Sequence, residues 1–180
     1  MAVELDGESW RTLPVDAVVR AGLGVGRTLD RPLARTLNRE LRRSGALAVA
    51  TRALRTRDLS RERLRQRLER ASVTVPAREE ALGALERAGL VDDGRVAGAR
   101  ATALAARGYG DAAIRDDLER RQGLAPATVE VALGALEPEA ERAARVVAKR
   151  GSSVRTARLL AGRGFSQESL EAALPDLIAN

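Results

Sequence analysis

The hexapeptide ALGALE, Ala81-Leu82-Gly83-Ala84-Leu85-Glu86, returns unchanged at residues 132–137, a spacing of 132 − 81 = 51. The tripeptide LER likewise stands at 68–70 and again at 118–120. Such a period is what stacked helical units produce, each too small to bury its apolar face alone. A fainter third copy follows: Gly123-Leu124 with Val129, Ala132 and Leu133 is echoed 41 residues on by Gly164-Phe165 with Leu170, Ala173 and Leu174.

Working outward from the repeat, each unit reads as three helices, with aliphatics at helical spacing in the third. The pattern predicts helices near 46–56, 60–71 and 76–88, then 93–106, 111–121 and 126–136, then 138–149, 152–162 and 166–177. Pro76, Pro126 and Pro138 fall at predicted helix starts, where a missing N–H costs nothing. Ser60 is the expected cap of the helix that buries Leu64 and Leu68. The expected fold is all-α: three tandem three-helix repeats (45–91, 92–137 and 138–180) forming an elongated, curved array behind a short extension over residues 1–44.

The extension has its own grammar. Val3 and Leu5 alternate with Glu4, and Asp6-Gly7 offers a hairpin turn before Trp10, Thr12 and Leu13. Pro14 opens a short helix through Val15, Val18 and Val19 that Gly22 ends, with Trp10 expected to pack on Val18. Asp30 is a cap, and Leu33, Leu37 and Leu41 recur every fourth residue in a lead-in helix. Ser44-Gly45 is read as the break before the first repeat.

Composition bounds the chemistry. The 180 residues contain no cysteine and no histidine, which removes disulfides, thiolate nucleophiles and imidazole chemistry. The start MAVELDGESW has no basic, apolar signal pattern, and no run approaches a membrane span, so a cytoplasmic protein is expected. Asp92-Asp93 and Asp116-Asp117 lack a third metal ligand at suitable spacing, and Asp93 reads as a helix cap. GLGVG at 22–26 reads as a connector. No nucleophile–base pair can be assembled, so neither a catalytic residue, a metal nor a cofactor is expected.

Lys+Arg number 31 against 25 Asp+Glu, a net charge of +6, and Lys149 is the one lysine. Guanidinium forks match phosphate and carboxylate geometry, so nucleic acid or an acidic protein face is the natural partner. In most of the chain acids interleave with the arginines, as on a solvated surface. Arg61 and Arg65 flank one side of the Leu64/Leu68 stripe, and Arg57 precedes them. Arg107 and Arg115 stand in the second unit. From Lys149 through Arg150, Arg155 and Arg158 to Arg163 there is no acid at all. That stretch reads equally as solvated surface or as a phosphate-binding surface with salt-sensitive affinity. The chain has one Trp, one Tyr and one Phe, too few for a stacking platform for single strands. Tyr109, within Arg107-Gly108-Tyr109-Gly110, and Phe165, after Arg163-Gly164, read as anchors of turns.

Together these landmarks resemble the RecX family, from about residue 45 to the C-terminus. Ser60 with Leu64 and Leu68 is similar to the family's opening pattern, and Gly89-Leu90-Val91-Asp92-Asp93 with Arg95 and Ala97 to its central signature. Arg107-Gly108-Tyr109-Gly110 and Arg163-Gly164-Phe165-Ser166 match its later landmarks. Leu59, Arg63 and Val96 depart from the family pattern, which marks a divergent member. The resemblance implies a monomeric, non-enzymatic regulator that binds the RecA recombinase filament on single-stranded DNA. It also implies restraint of recombinase, ATPase and coprotease activity in recombination, DNA repair and the SOS response. Non-specific duplex binding is compatible with it. Two other readings of the residues stand beside it: a sequence-reading helical transcription regulator, and a structural helical adaptor for an acidic protein partner.

Overall fold

The computed structural model describes residues 1–178, which form two compact units, Met1–Val91 and the chain from Asp92 onward. The first unit opens with a hairpin of β1 (Ala2–Leu5) and β2 (Glu8–Thr12). Asp6 and Gly7 both have positive φ, 52° and 83°, the mirror-image turn that suits the twist of a two-residue hairpin. The antiparallel register runs Val3↔Arg11 and then Glu4↔Ser9, leaving Trp10 as the extra residue of a bulge. That corrects the expected Trp10–Val18 contact: Trp10 is exposed beside Arg11, and Leu13 covers Val18 instead.

Helix α1 (Val15–Ala21) stops at Gly22, whose φ of 69° is the left-handed conformation glycine adopts freely. Helix α2 (Arg31–Leu54) is capped by Asp30, which accepts from the Leu33 amide at 2.8 Å. It runs straight through Ser44-Gly45, so the expected break is absent. A glycine inside a helix costs about 1 kcal/mol. Burial on both sides outweighs it: Leu33 and Leu37 pack before the glycine, and Ala46 and Ala50 after it. Ser44 also donates to Asp16 of α1 at 3.1 Å.

Ser60 caps α3 (Arg61–Arg70), and α4 (Val75–Arg87) returns against α2. The core between α2, α3 and α4 is Ala50, Leu64, Leu68, Leu82 and Leu85. Leu64, Leu68 and Leu82 are fully buried, each contributing about 1.5–3 kcal/mol of apolar burial. Leu59, one of the departures from the family pattern, feeds this same core.

In the second unit α5 (Asp93–Ala106) is followed by α6 (Asp111–Asp116), which continues as a π-helical turn (Asp117–Arg121), and by α7 (Pro126–Gly134). The cap of α5 is Asp92, accepting from the Arg95 amide at 2.9 Å, and not Asp93. Asp92 keeps extended angles, whereas Asp93 is already helical and places its acid in the positive first turn. Ala97, Ala101, Ile114, Leu118 and Val129 fill the space between these helices.

The chain then forms α8 (Glu139–Arg150), α9 (Val154–Gly162), α10 (Gln167–Ala173) and α11 (Pro175–Ile178) around Ala143, Leu160, Phe165 and Leu174. One helix was expected over 166–177. Pro175 splits it, because its ring clashes with a helical preceding residue, and Leu174 accordingly leaves helical angles. The described residues are thus mostly helical, with a hairpin at their start.

Candidate nucleic-acid interface

The two glycine turns singled out in the sequence meet in the second unit. The Gly110 amide donates to the Arg163 carbonyl at 2.9 Å, and the Ala112 amide to the Gly164 carbonyl at 3.1 Å. The approach is too close for any side chain: a Cβ on Gly110 would lie 2.3 Å from the Gly164 oxygen, and one on Gly164 2.6 Å from the Ala113 nitrogen. Arg163 turns back over this joint, donating to the Arg107 carbonyl at 3.1 Å. The Arg107 and Arg163 guanidiniums each stand 5.7 Å from the Tyr109 ring centre. Two candidate cations 56 residues apart therefore flank one half-buried phenol.

Beneath the joint lies Arg142, a buried residue that the sequence reading missed. It donates to the Tyr109 carbonyl at 2.9 Å and the Glu137 carbonyl at 3.0 Å, and it pairs with Asp111. Its guanidinium also sits 5.9 Å from the Phe165 ring centre. Glu139 was missed too. It accepts from the amides of Asp111 (2.6 Å) and Ser166 (3.0 Å) and from the Ser169 hydroxyl (2.8 Å). Burial pushes its carboxyl up, but these donors together outweigh burial and hold it below the ordinary value. The available signal for Arg142 was its place next to Ala143 and four before Val146, on the apolar stripe of α8 rather than its wet face.

Several candidate arginines are committed to holding helices together. Arg61 bridges α3 to α4 through Glu79 (2.8 Å) and Glu86 (2.7 Å), and hydrogen bonding to Glu79 is the main cause of its raised pKa. Arg115 pairs with Glu130, tying α6 to α7. Glu79 and Glu130 are 51 residues apart, so the repeat preserves the acid that receives the second helix. Arg65 is held by Glu62 at 2.6 Å on its own helix, and Arg95 pairs with its cap Asp92 at 3.9 Å.

The acid-free stretch differs. Lys149 and Arg150 end α8, and Arg155 and Arg158 stand on α9 opposite the buried Thr156 and Leu160. All four are exposed and make no ion pair among the described residues. Arg57, after α2, is also exposed and makes no ion pair among the described residues. A Cβ on Gly108 would lie 3.7 Å from Val146 of α8, so this helix face abuts the glycine joint. Lys149 and Arg150 follow Val146 by three and four residues, one turn along the same face. Among the described residues, no group of three or more acids could hold a metal ion, and no helix is long and apolar enough to cross a membrane.

No family model matches the chain. It is 37% identical over 108 residues to a protein of Deinococcus radiodurans named regulatory protein RecX. That likeness covers 60% of this chain and 51% of the relative, so the chain spans about half the length of the protein it matches. The fold is similar to a crystal structure of regulatory protein RecX, with a TM-score of 0.83 at 20% identity over 97% of this chain and 94% of the other. The chain is thus similar to RecX proteins both in sequence and in fold. RecX from Lactobacillus salivarius shares the fold over 77% of this chain and 98% of its own, with a TM-score of 0.66 at 16% identity. The two glycine turns that carried the RecX resemblance in sequence are the pair that lock together in the second unit.

Proposed function

We propose that this chain is a RecX-type, non-catalytic regulator that binds a RecA filament on single-stranded DNA and lowers its activity. The observation that carries the reading is the run Lys149, Arg150, Arg155 and Arg158: exposed cations, unpaired among the described residues, in a segment without acids, while the other candidate arginines are largely engaged. Unpaired guanidiniums have no partner to give up on meeting phosphate or carboxylate, so their full charge is available to a polyanion. Arg107 and Arg163, gathered on Tyr109, extend that surface toward the joint. Arg57 is the counterpart in the first unit. Arg61, Arg65 and Arg115 contribute less, because each would have to exchange an acid for the ligand.

The mechanism is steric and electrostatic. A monomer seated on the filament neutralises phosphate and acidic protein surface together, and thereby hinders the filament's extension and turnover, without bond making. The test is the single-stranded-DNA-dependent ATPase of the cognate RecA titrated with the full chain. Substoichiometric loss of ATPase is expected, weakened in the Arg155→Gln/Arg158→Gln variant. No effect on an established filament overturns the reading. Preference for one duplex sequence would favour the transcription-regulator alternative, and binding to an acidic protein without any DNA dependence the adaptor.

A further inference from the structure

A second cationic surface lies in the first unit, on residues the site above does not use. Arg35 and Arg42 of α2 are seven positions apart, about 20° of helix rotation, and so lie on one line; Arg31 continues that line by one turn. All three are exposed and make no ion pair among the described residues. The row extends about 16 Å at the helical rise of 1.5 Å per residue. Arg35 and Arg42, with Asn38 and Arg39, form one wall of a groove of about 360 Å³.

The other wall is the start of α4, with Thr74, Pro76 and Ala77. Thr74 occupies the cap position without capping, so the first-turn amides have no side-chain acceptor there. The acids near the groove are already neutralised. Glu80, on the rim, is bound by Arg43 at 3.2 Å, and Arg39 and Arg43 share the buried Glu40. The free charge of the groove is therefore that of Arg35 and Arg42.

We propose that this groove holds the phosphodiester backbone of a single nucleic-acid strand, with Arg35 and Arg42 on its phosphates and Arg31 reaching the next. Cations in a line fit a linear polyanion better than an isolated anion. Pro76, Ala77 and the arginine stems line the groove with apolar surface that suits sugars and base faces, and Asn38 supplies a hydrogen-bonding group between the two arginines. The inference extends the function proposed above by adding a DNA contact in the other unit, and it is tested without the recombinase.

The experiment is fluorescence anisotropy of labelled oligothymidylate with the full chain across a salt series. The variant is Arg35→Gln/Arg42→Gln, and the control is Arg67→Gln/Arg70→Gln, which removes the same charge from an exposed part of α3. Losing two phosphate contacts should lower the log–log salt slope by about 1.4, at about 0.7 per contact for single strands. Between 50 and 200 mM salt, wild type should therefore lose about sevenfold more affinity than the groove variant. The control should keep the wild-type slope. An unchanged slope in the groove variant, or an equal drop in the control, overturns the proposal. So does a polyglutamate that loses affinity in the groove variant while oligothymidylate does not. If wild type modulates RecA ATPase but the groove variant binds oligothymidylate normally, the groove assignment fails and the regulator reading stands. A groove variant that loses DNA binding, with RecA ATPase indifferent to wild type, gives the reverse.

Discussion

Gly110→Ala should be among the most damaging single methyl groups that can be added to this protein. The new Cβ would stand 2.3 Å from both the Gly164 oxygen and the Phe165 nitrogen, which are backbone atoms with no rotamer to escape into. Ordinary contact requires the two turns to part by about 1 Å, which breaks or stretches the Gly110–Arg163 and Ala112–Gly164 hydrogen bonds. Two such bonds are worth about 0.5–1.5 kcal/mol each, and overpacking a tight site adds about 1–3 kcal/mol. The expected loss is about 3 kcal/mol, which at this chain length lowers Tm by about 6–12 °C. Urea and thermal unfolding followed by far-UV circular dichroism measure it. The matched control is Gly98→Ala in the middle of α5, where a Cβ meets nothing within 4 Å. There, removing glycine from a helix should stabilise the protein by about 0.5–1 kcal/mol. If Gly110→Ala lies within about 0.5 kcal/mol of wild type, the close joint is not a constraint and the reasoning fails.

Other perturbations separate structural charge from available charge. Arg61→Ala should cost no more than about 1 kcal/mol, because its two acid partners are surface-exposed, and should leave oligothymidylate affinity within about twofold of wild type. A large loss of DNA binding would show that Arg61 exchanges its acids for phosphate. Asp117 is buried beneath two hydrogen bonds from Arg100 at 2.8 and 2.9 Å, which hold its carboxyl below the ordinary value. A depressed folded-state pKa contributes stability above the unfolded value, about 3.9, which is lost as pH falls through the folded one. Asp117→Asn should accordingly be less stable than wild type at neutral pH and show a shallower loss below about pH 4, read by urea midpoints across the acid range. Leu64→Ala, at a fully buried site, should cost about 2–5 kcal/mol by the same denaturation assay.

Much of the fold was legible because its signals are local. Helix spacing, prolines at helix starts and the caps Asp30 and Ser60 depend on a few neighbouring residues. Local reading failed where distant burial decided the outcome. Gly45 remains helical because α2 is packed on either side of it, and Trp10 faces outward because a bulge shifts the strand register.

The site divides in the same way. The acid-free stretch from Lys149 to Arg163 is visible in the letters alone, as is an excess of arginine. The sequence also determined most helix positions and the two glycine turns, since apolar period and turn chemistry are written in consecutive residues. Which arginines are free was decided only in three dimensions: Glu79 and Glu130 claim Arg61 and Arg115 across helix pairs, and Arg142 is buried. Tertiary structure alone joined the two glycine turns, and it alone set Arg35 and Arg42 along a groove against α4. The physical reason is range. Backbone preference acts over a turn of helix, whereas whether a guanidinium is paired depends on which acid the fold brings within about 4 Å of it.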